Sequence, residues 1–149
     1  MQSTLDSDTP KAILAQAGLR ITRQREIILN IIQHLDSHPD ADEVYGVAKK
    51  KLPRINLSTV YRTLQTLKER GLIDTHRFSE EHHHYEVNTA REHHHLVCRQ
   101  CGEIVECDLP IMDQIKKHAH TESGFKALSS DITVYGICGS CLKAKVGRK

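Results

Sequence analysis

Cys98-x-x-Cys101 and Cys138-x-x-Cys141 set four thiols in two close pairs. A pair at this spacing on a tight turn grips one metal ion from two corners of a tetrahedron. Two pairs close a site of four soft sulfurs that suits structural zinc and leaves no position open for a substrate. The 36 residues between Cys101 and Cys138 exceed the usual zinc-ribbon spacer, so the site is expected to clamp the ends of a small α/β unit. A redox dithiol or four unrelated core cysteines would use the same residue types, and the doubling of the motif favours the metal. Cys107 is left over and reads as a small buried hydrophobe beside a strand.

Eleven histidines make up the other chemical resource: His82-His83-His84, His93-His94-His95, and the singles His34, His38, His76, His118 and His120. Alternate residues of a strand share a face, so His93 and His95 are expected to point together and His94 away. Glu86 and Glu106 fall inside expected strands, where a buried carboxylate without a partner is costly. A cation would satisfy both. Mixed nitrogen and oxygen ligands suit Fe(II), Mn(II), Zn(II) or Co(II), and the residue types do not choose among them. Solvated polar strand ends would also explain the triplets; their clustering favours a metal.

The elements that must position these groups can be read from composition and period. With 149 residues, 38% hydrophobic and 27% charged, the chain suffices for one ordinary domain or two small ones and is too polar for a membrane protein. No apolar run approaches the ~20 residues that span a bilayer, and the start Met1-Gln-Ser-Thr-Leu-Asp-Ser-Asp lacks the pattern of a signal peptide, so a cytoplasmic location is expected. An odd cysteine count in that reducing compartment argues against a disulfide framework. The net charge of +2 conceals a concentration: residues 49–70 hold Lys49, Lys50, Lys51, Arg54, Arg62, Lys68 and Arg70 against Glu69 alone. Arg20, Arg23 and Arg25 add a second basic segment. Clustered basic residues are the footprint of a nucleic-acid binder, although solvated helix faces carry them too.

In the first half, Thr9 and Pro10 open a short helix that Gly18 ends, and residues 22–35 repeat isoleucine and leucine at helical spacing. Asp40 and Glu43 form a capping box ahead of Val44, Val47, Ala48 and Leu52, a helix that stops at Pro53. Over 57–71, Val60, Leu64 and Leu67 share one stripe, Thr59, Arg62 and Thr66 lie opposite, and Tyr61 sits on the border. Residues 72–78 and 82–87 read as a hairpin. Helix, turn, helix and hairpin together predict a winged helix-turn-helix whose second helix enters the major groove. Asn88 to Glu92 reads as a linker. Beyond it, 96–98 and 103–106 read as strands, 109–121 as a helix opened by Pro110, and 129–137 as a strand.

Gly18-Leu-Arg-Ile-Thr-Arg-Gln-Arg25, His38-Pro-Asp-Ala-Asp-Glu-Val-Tyr45, Leu57-Ser-Thr-Val-Tyr-Arg-Thr-Leu64, His93-His-His-Leu-Val-Cys-Arg-Gln-Cys-Gly102 and Tyr135-Gly-Ile-Cys-Gly-Ser-Cys141 together resemble the ferric uptake regulator family of metal-sensing repressors. The resemblance runs over nearly the whole chain. It implies an α+β architecture: a winged-helix DNA-binding domain over 1–87, a hinge at 88–92, and an α/β dimerisation domain over 93–149 that carries the four-cysteine zinc site. It also implies a homodimer on double-stranded operator DNA that represses metal-uptake or stress genes when metal is bound.

Transferred by position, the regulatory ligands would be His38, Glu86, His93, His95 and Glu106, and the structural zinc would take Cys98, Cys101, Cys138 and Cys141. Tyr61 and Arg62 match the family's major-groove residues, and Arg20 matches a residue that reaches the minor groove; Thr59 joins them on the outward face. Peroxide-sensing members typically have Asp where this chain has Glu106, so the glutamates resemble the iron sensor, with Fe(II) as regulatory metal and Mn(II) or Zn(II) as alternatives. Zinc sensors often supply a cysteine near Val87, which cannot ligate, although Asp74 matches an acidic ligand some of them use. A further metal site of iron sensors falls on Glu92, His94, Asp113 and Ser130, where Ser130 replaces a histidine. A metalloenzyme is disfavoured, since no His-Glu-x-x-His, Gly-rich phosphate loop or Gly-x-Ser-x-Gly motif accompanies the ligands. A metal buffer that does not bind DNA is the other rival.

Overall fold

Residues 9–35, 38–89 and 91–146 are described by a computed structural model. The polar start through Asp8 and Ala90, within the expected hinge, lie outside the described residues. The chain divides into two compact units that meet between Asn88 and Thr89.

The first unit runs α1 (Pro10–Gln16), α2 (Arg23–His34), α3 (Ala41–Lys51), α4 (Leu57–Glu69), β1 (Ile73–His76) and β2 (His84–Val87). Side-chain oxygens open all four helices by accepting orphan backbone N–H groups: Thr9 from Ala12, Thr22 from Arg25, Asp40 from Glu43 and Asn56 from Thr59. At α3 the Glu43 carboxylate returns the bond to the Asp40 N–H, completing the capping box. Gly18 and Gly71 take positive φ where α1 and α4 end, a conformation that suits glycine.

The core of this unit is aliphatic. Leu14, Ile28, Leu29, Val44, Val60, Leu64 and Leu67 are fully buried, each worth roughly 1.5–3 kcal/mol relative to exposure. On α4 the buried stripe is Val60, Thr63, Leu64 and Leu67, while Tyr61 and Arg62 are exposed. Thr59 and Thr66 were expected to face outward, but both are only half-exposed. The Thr59 hydroxyl donates to Asn56 Oδ1 and that of Thr66 to the Arg62 carbonyl, so both are drawn onto the helix. The antiparallel pair β1–β2 follows α4 and completes the winged helix-turn-helix.

The second unit runs β3 (His94–Cys98), β4 (Ile104–Cys107), α5 (Met112–Ser123), β5 (Thr133–Gly136) and α6 (Gly139–Val146). Its sheet has the order β4-β3-β5, with β3 antiparallel to β4 and parallel to β5. Several details depart from the sequence expectation. The first α5 residue is Met112, its N-cap Ile111 makes no side-chain capping bond, and Pro110 lies in the preceding turn. Strand β5 covers only the four residues that pair with β3. Helix α6 was not anticipated. Cys107 is half-exposed and not buried, and His94 is buried with its Nδ1 accepting from the Ile132 N–H.

Candidate metal centres and nucleic-acid interface

The parallel pairing of β3 with β5 sets Cys98 opposite Gly136, which brings the turn after β3 alongside the start of α6. All four paired cysteines meet there, with their sulfurs within 4.8 Å of one another. The Cys101 and Cys138 Sγ atoms are 3.7 Å apart. That is far beyond a disulfide bond and matches the edge of about 3.8 Å expected for a tetrahedron of ~2.3 Å Zn–S bonds. The residues therefore fit structural zinc.

The electrostatics of the cluster point the same way. The Cys98 thiol is lowered to about 6, first by the Cys138 N–H that donates to its sulfur at 3.2 Å and then by backbone N–H groups of Cys101 and Gln100. Cys141 is pushed up to about 12 by its hydrogen bond to Cys138, by burial and by the surrounding sulfurs. Cys98 is therefore the readiest of these sulfurs to ionise while Cys138 and Cys141 resist it, and a divalent cation would favour the thiolate form of both.

In the first unit, the ladder pairs Asp74 with Glu86 and His76 with His84, so these four residues share one face. Glu86 is 8% exposed and accepts from two imidazoles: His38 Nε2 lies 2.7 Å from Oε2, and His76 Nε2 lies 2.5 Å from Oε1. His38 reaches this position because its connection to α3 is pinned to β2. The His84 Nδ1 donates to the His38 carbonyl, and the Tyr85 N–H donates to the carbonyl of Pro39. His76 was missed as a site residue. The signal was available, since its alternation with Asp74 puts it on the face of Glu86 once the hairpin forms.

In the second unit, the His93 and His95 rings stand 5.0 Å apart, edge to face, as strand alternation predicts. His95 is fully buried and pairs with Glu106 across the β3–β4 ladder, while Glu106 is exposed. Of the positions matched to a further metal site, Glu92 is engaged by Lys116 Nζ and by the hydroxyl and N–H of Ser130. A lysine ammonium thus serves as its cation.

The basic residues divide into two kinds. Arg62 and the half-exposed Tyr61 project from α4, and Arg20 is exposed ahead of α2. Lys49 instead donates to the Ile55 carbonyl at 3.1 Å and Arg70 to the Ala17 carbonyl at 3.2 Å, so these two brace the fold. Among the described residues no helix is long and apolar enough to cross a membrane.

The model of the Ferric uptake regulator family matches residues 16–135. The ferric uptake regulation protein of Campylobacter jejuni is 36% identical over 140 residues, covering 91% of this chain and 89% of that protein. The peroxide-responsive repressor PerR of Staphylococcus aureus is 33% identical over 130 residues, covering 87% of each. Among solved structures, the ferric uptake regulator of Vibrio cholerae has a TM-score of 0.74 at 30% identity, covering 85% of this chain and 97% of that one. With four metal-suited thiols behind a winged helix and a match of this extent, the chain belongs to the ferric uptake regulator family, whose members are metal-responsive transcriptional regulators and not enzymes.

Proposed function

We propose that this chain is an iron-responsive repressor that acts as a homodimer on double-stranded operator DNA in the cytoplasm. Its regulatory Fe(II) would be held by His38 and Glu86 of the first unit with His93, His95 and Glu106 of the second, and Zn(II) would occupy the four-cysteine site. The observation that carries this reading is a buried carboxylate, Glu86, with His38 on it inside the DNA-binding unit, while the remaining ligands stand on β3 and its flanks in the other unit. An ion that takes ligands from both units favours one mutual orientation of them, and its differential affinity is what shifts the population. Glutamate at both 86 and 106 supports iron sensing over peroxide sensing, and the relatives include both kinds of repressor.

Dimerisation is supported by the sheet. Leu96 pairs with Val105 on one side and Val134 on the other, and all three are 40–47% exposed. A contiguous apolar row of this kind suits a second copy of the same sheet. On DNA, Arg62 and Tyr61 of α4 would read the major groove, with Thr59 beside them and Arg20 in the minor groove. Phosphate contacts by Lys50, Lys51 and Arg54 would make affinity fall steeply with salt.

DNA retention titrated separately with Fe(II), Mn(II) and Zn(II), in wild type and His38→Ala, tests the reading. Wild type is expected to bind one sequence in a metal-dependent way, most effectively with Fe(II), and His38→Ala to lose that dependence while keeping its zinc. Unchanged metal dependence in His38→Ala overturns the proposal.

A further inference from the structure

The start of α4 holds a hydroxyl whose proton has a single place to go. Asn56 caps the helix by accepting the Thr59 N–H on Oδ1 at 2.8 Å. A backbone N–H can only donate, so the side-chain atom that faces it is the amide oxygen, and an amide oxygen can only accept. Thr59 Oγ1 lies 2.9 Å from that same oxygen. Of these two atoms only the hydroxyl carries a proton, so Thr59 donates inward and keeps its lone pairs for an outside partner. Thr66, two turns further on, likewise gives its proton to the Arg62 carbonyl at 3.0 Å. The half-exposed Thr59 therefore presents an acceptor and a methyl group. Arg62, exposed one turn along the helix, has only donors to offer.

We infer that Thr59 determines sequence specificity by accepting a hydrogen bond from an exocyclic amine, the N6 group of adenine or the N4 group of cytosine, and that Asn56 is the positioning residue that fixes it as an acceptor. The inference rests on the major-groove placement of α4 proposed above and deepens it. In that groove adenine and cytosine present an amine where thymine and guanine present a carbonyl oxygen. A hydroxyl with a free proton serves either kind of base. One whose proton is held by a helix cap serves the amine alone. The same lock excludes a contact to phosphate, whose oxygens need a donor. Side chains three apart on a helix in the major groove meet successive bases in zinc fingers, so the amine read by Thr59 belongs beside the base read by Arg62.

Selection from a random duplex library tests this on the full-length protein supplied with Fe(II), Mn(II) or Zn(II), comparing wild type with Thr59→Val, Thr59→Ser and Asn56→Gly. Arg62→Ala marks the base that the arginine reads. Wild type and Thr59→Ser are expected to prefer adenine or cytosine over guanine and thymine at a neighbouring position. Thr59→Val keeps a methyl group and the cap bond to the N–H; it is expected to lose that preference and to bind the selected site about 3–10-fold more weakly. Asn56→Gly frees the hydroxyl at little cost to the helix and is expected to accept all four bases there. Replacing the selected base by its analogue without the exocyclic amine should weaken wild type by the same factor and leave Thr59→Val unchanged. Wild-type base preference in Thr59→Val or in Asn56→Gly overturns the inference. So does an equal loss by Thr59→Val on every sequence, which would make Thr59 a phosphate contact. If wild type selects no sequence with any of the three metals, the DNA-binding reading itself falls, and the role of Thr59 with it.

Discussion

The two units spend their sequence differently. In the first, Leu14, Ile28, Leu29, Val44, Val60, Leu64, Leu67 and Ile73 form one buried cluster between four capped helices and a hairpin. In the second, the buried apolar residues among those described are Val97, Cys98 and Met112, while Ile111, Ile115, Phe125, Leu128, Val134 and Leu142 stand between 45% and 83% exposed. The first unit thus carries its own hydrophobic driving force. The second is too small and too open to do so, and small units of this kind rely on a metal or on a second copy of themselves.

Removal of zinc should break this asymmetry most visibly. Binding of structural zinc supplies apparent free energies of about 10–16 kcal/mol in zinc-finger peptides, more than an open three-stranded sheet can replace. Stripping with a chelator, or Cys138→Ser, is expected to abolish slow amide exchange in β3 and β5 while α2 and α4 keep theirs, as read by hydrogen-exchange mass spectrometry. Persistent protection of β3 would mean that the second unit has a sufficient core after all.

The converse change, Leu64→Ala, removes a fully buried side chain from α4 and should cost the first unit about 2–5 kcal/mol. Denaturant unfolding should show that loss in the helical transition, with the β3 and β5 amides unaffected. Coupled loss in both units would show that they unfold as one.

The smallest effect concerns Glu92, held at about 2 by the Lys116 ammonium and then by Ser130. A carboxyl lowered in the folded state stabilises fully above its ordinary value of 4.5, and that contribution fades as pH falls toward 2. The melting-temperature gap between wild type and Glu92→Gln should therefore be constant above about pH 5 and close as pH falls from 4.5 toward 2. A gap that closes between pH 8 and 6 would place the effect on another group.

The same asymmetry governed what could be read from sequence. Helices α1 to α3 were legible because Thr9, Thr22 and Asp40 mark their starts and a period of 3.6 residues marks their buried faces. Helix α4 was legible from its stripe, although Thr63 entered the core and Thr59 turned to Asn56. The second unit has weaker local signals. Helix α6, Gly-Ser-Cys-Leu-Lys-Ala-Lys-Val, has no apolar face and takes its place from the cysteine pair at its start. Pro110 imitated a first helical residue two positions early. The paired cysteines were legible because their spacing is itself the chemistry, whereas His76 needed the hairpin register before its partner could be named.

The strap from His38 to Asp40 is three residues long, and each of them is tied to something different. The side chain of His38 rests on Glu86, the carbonyl of Pro39 is bonded to β2, and Asp40 closes the first turn of α3. A pull on the imidazole is therefore delivered, two peptide units later, to the end of the helix that packs against α4. Little slack separates the place where an ion would tug from the surface that would feel the groove.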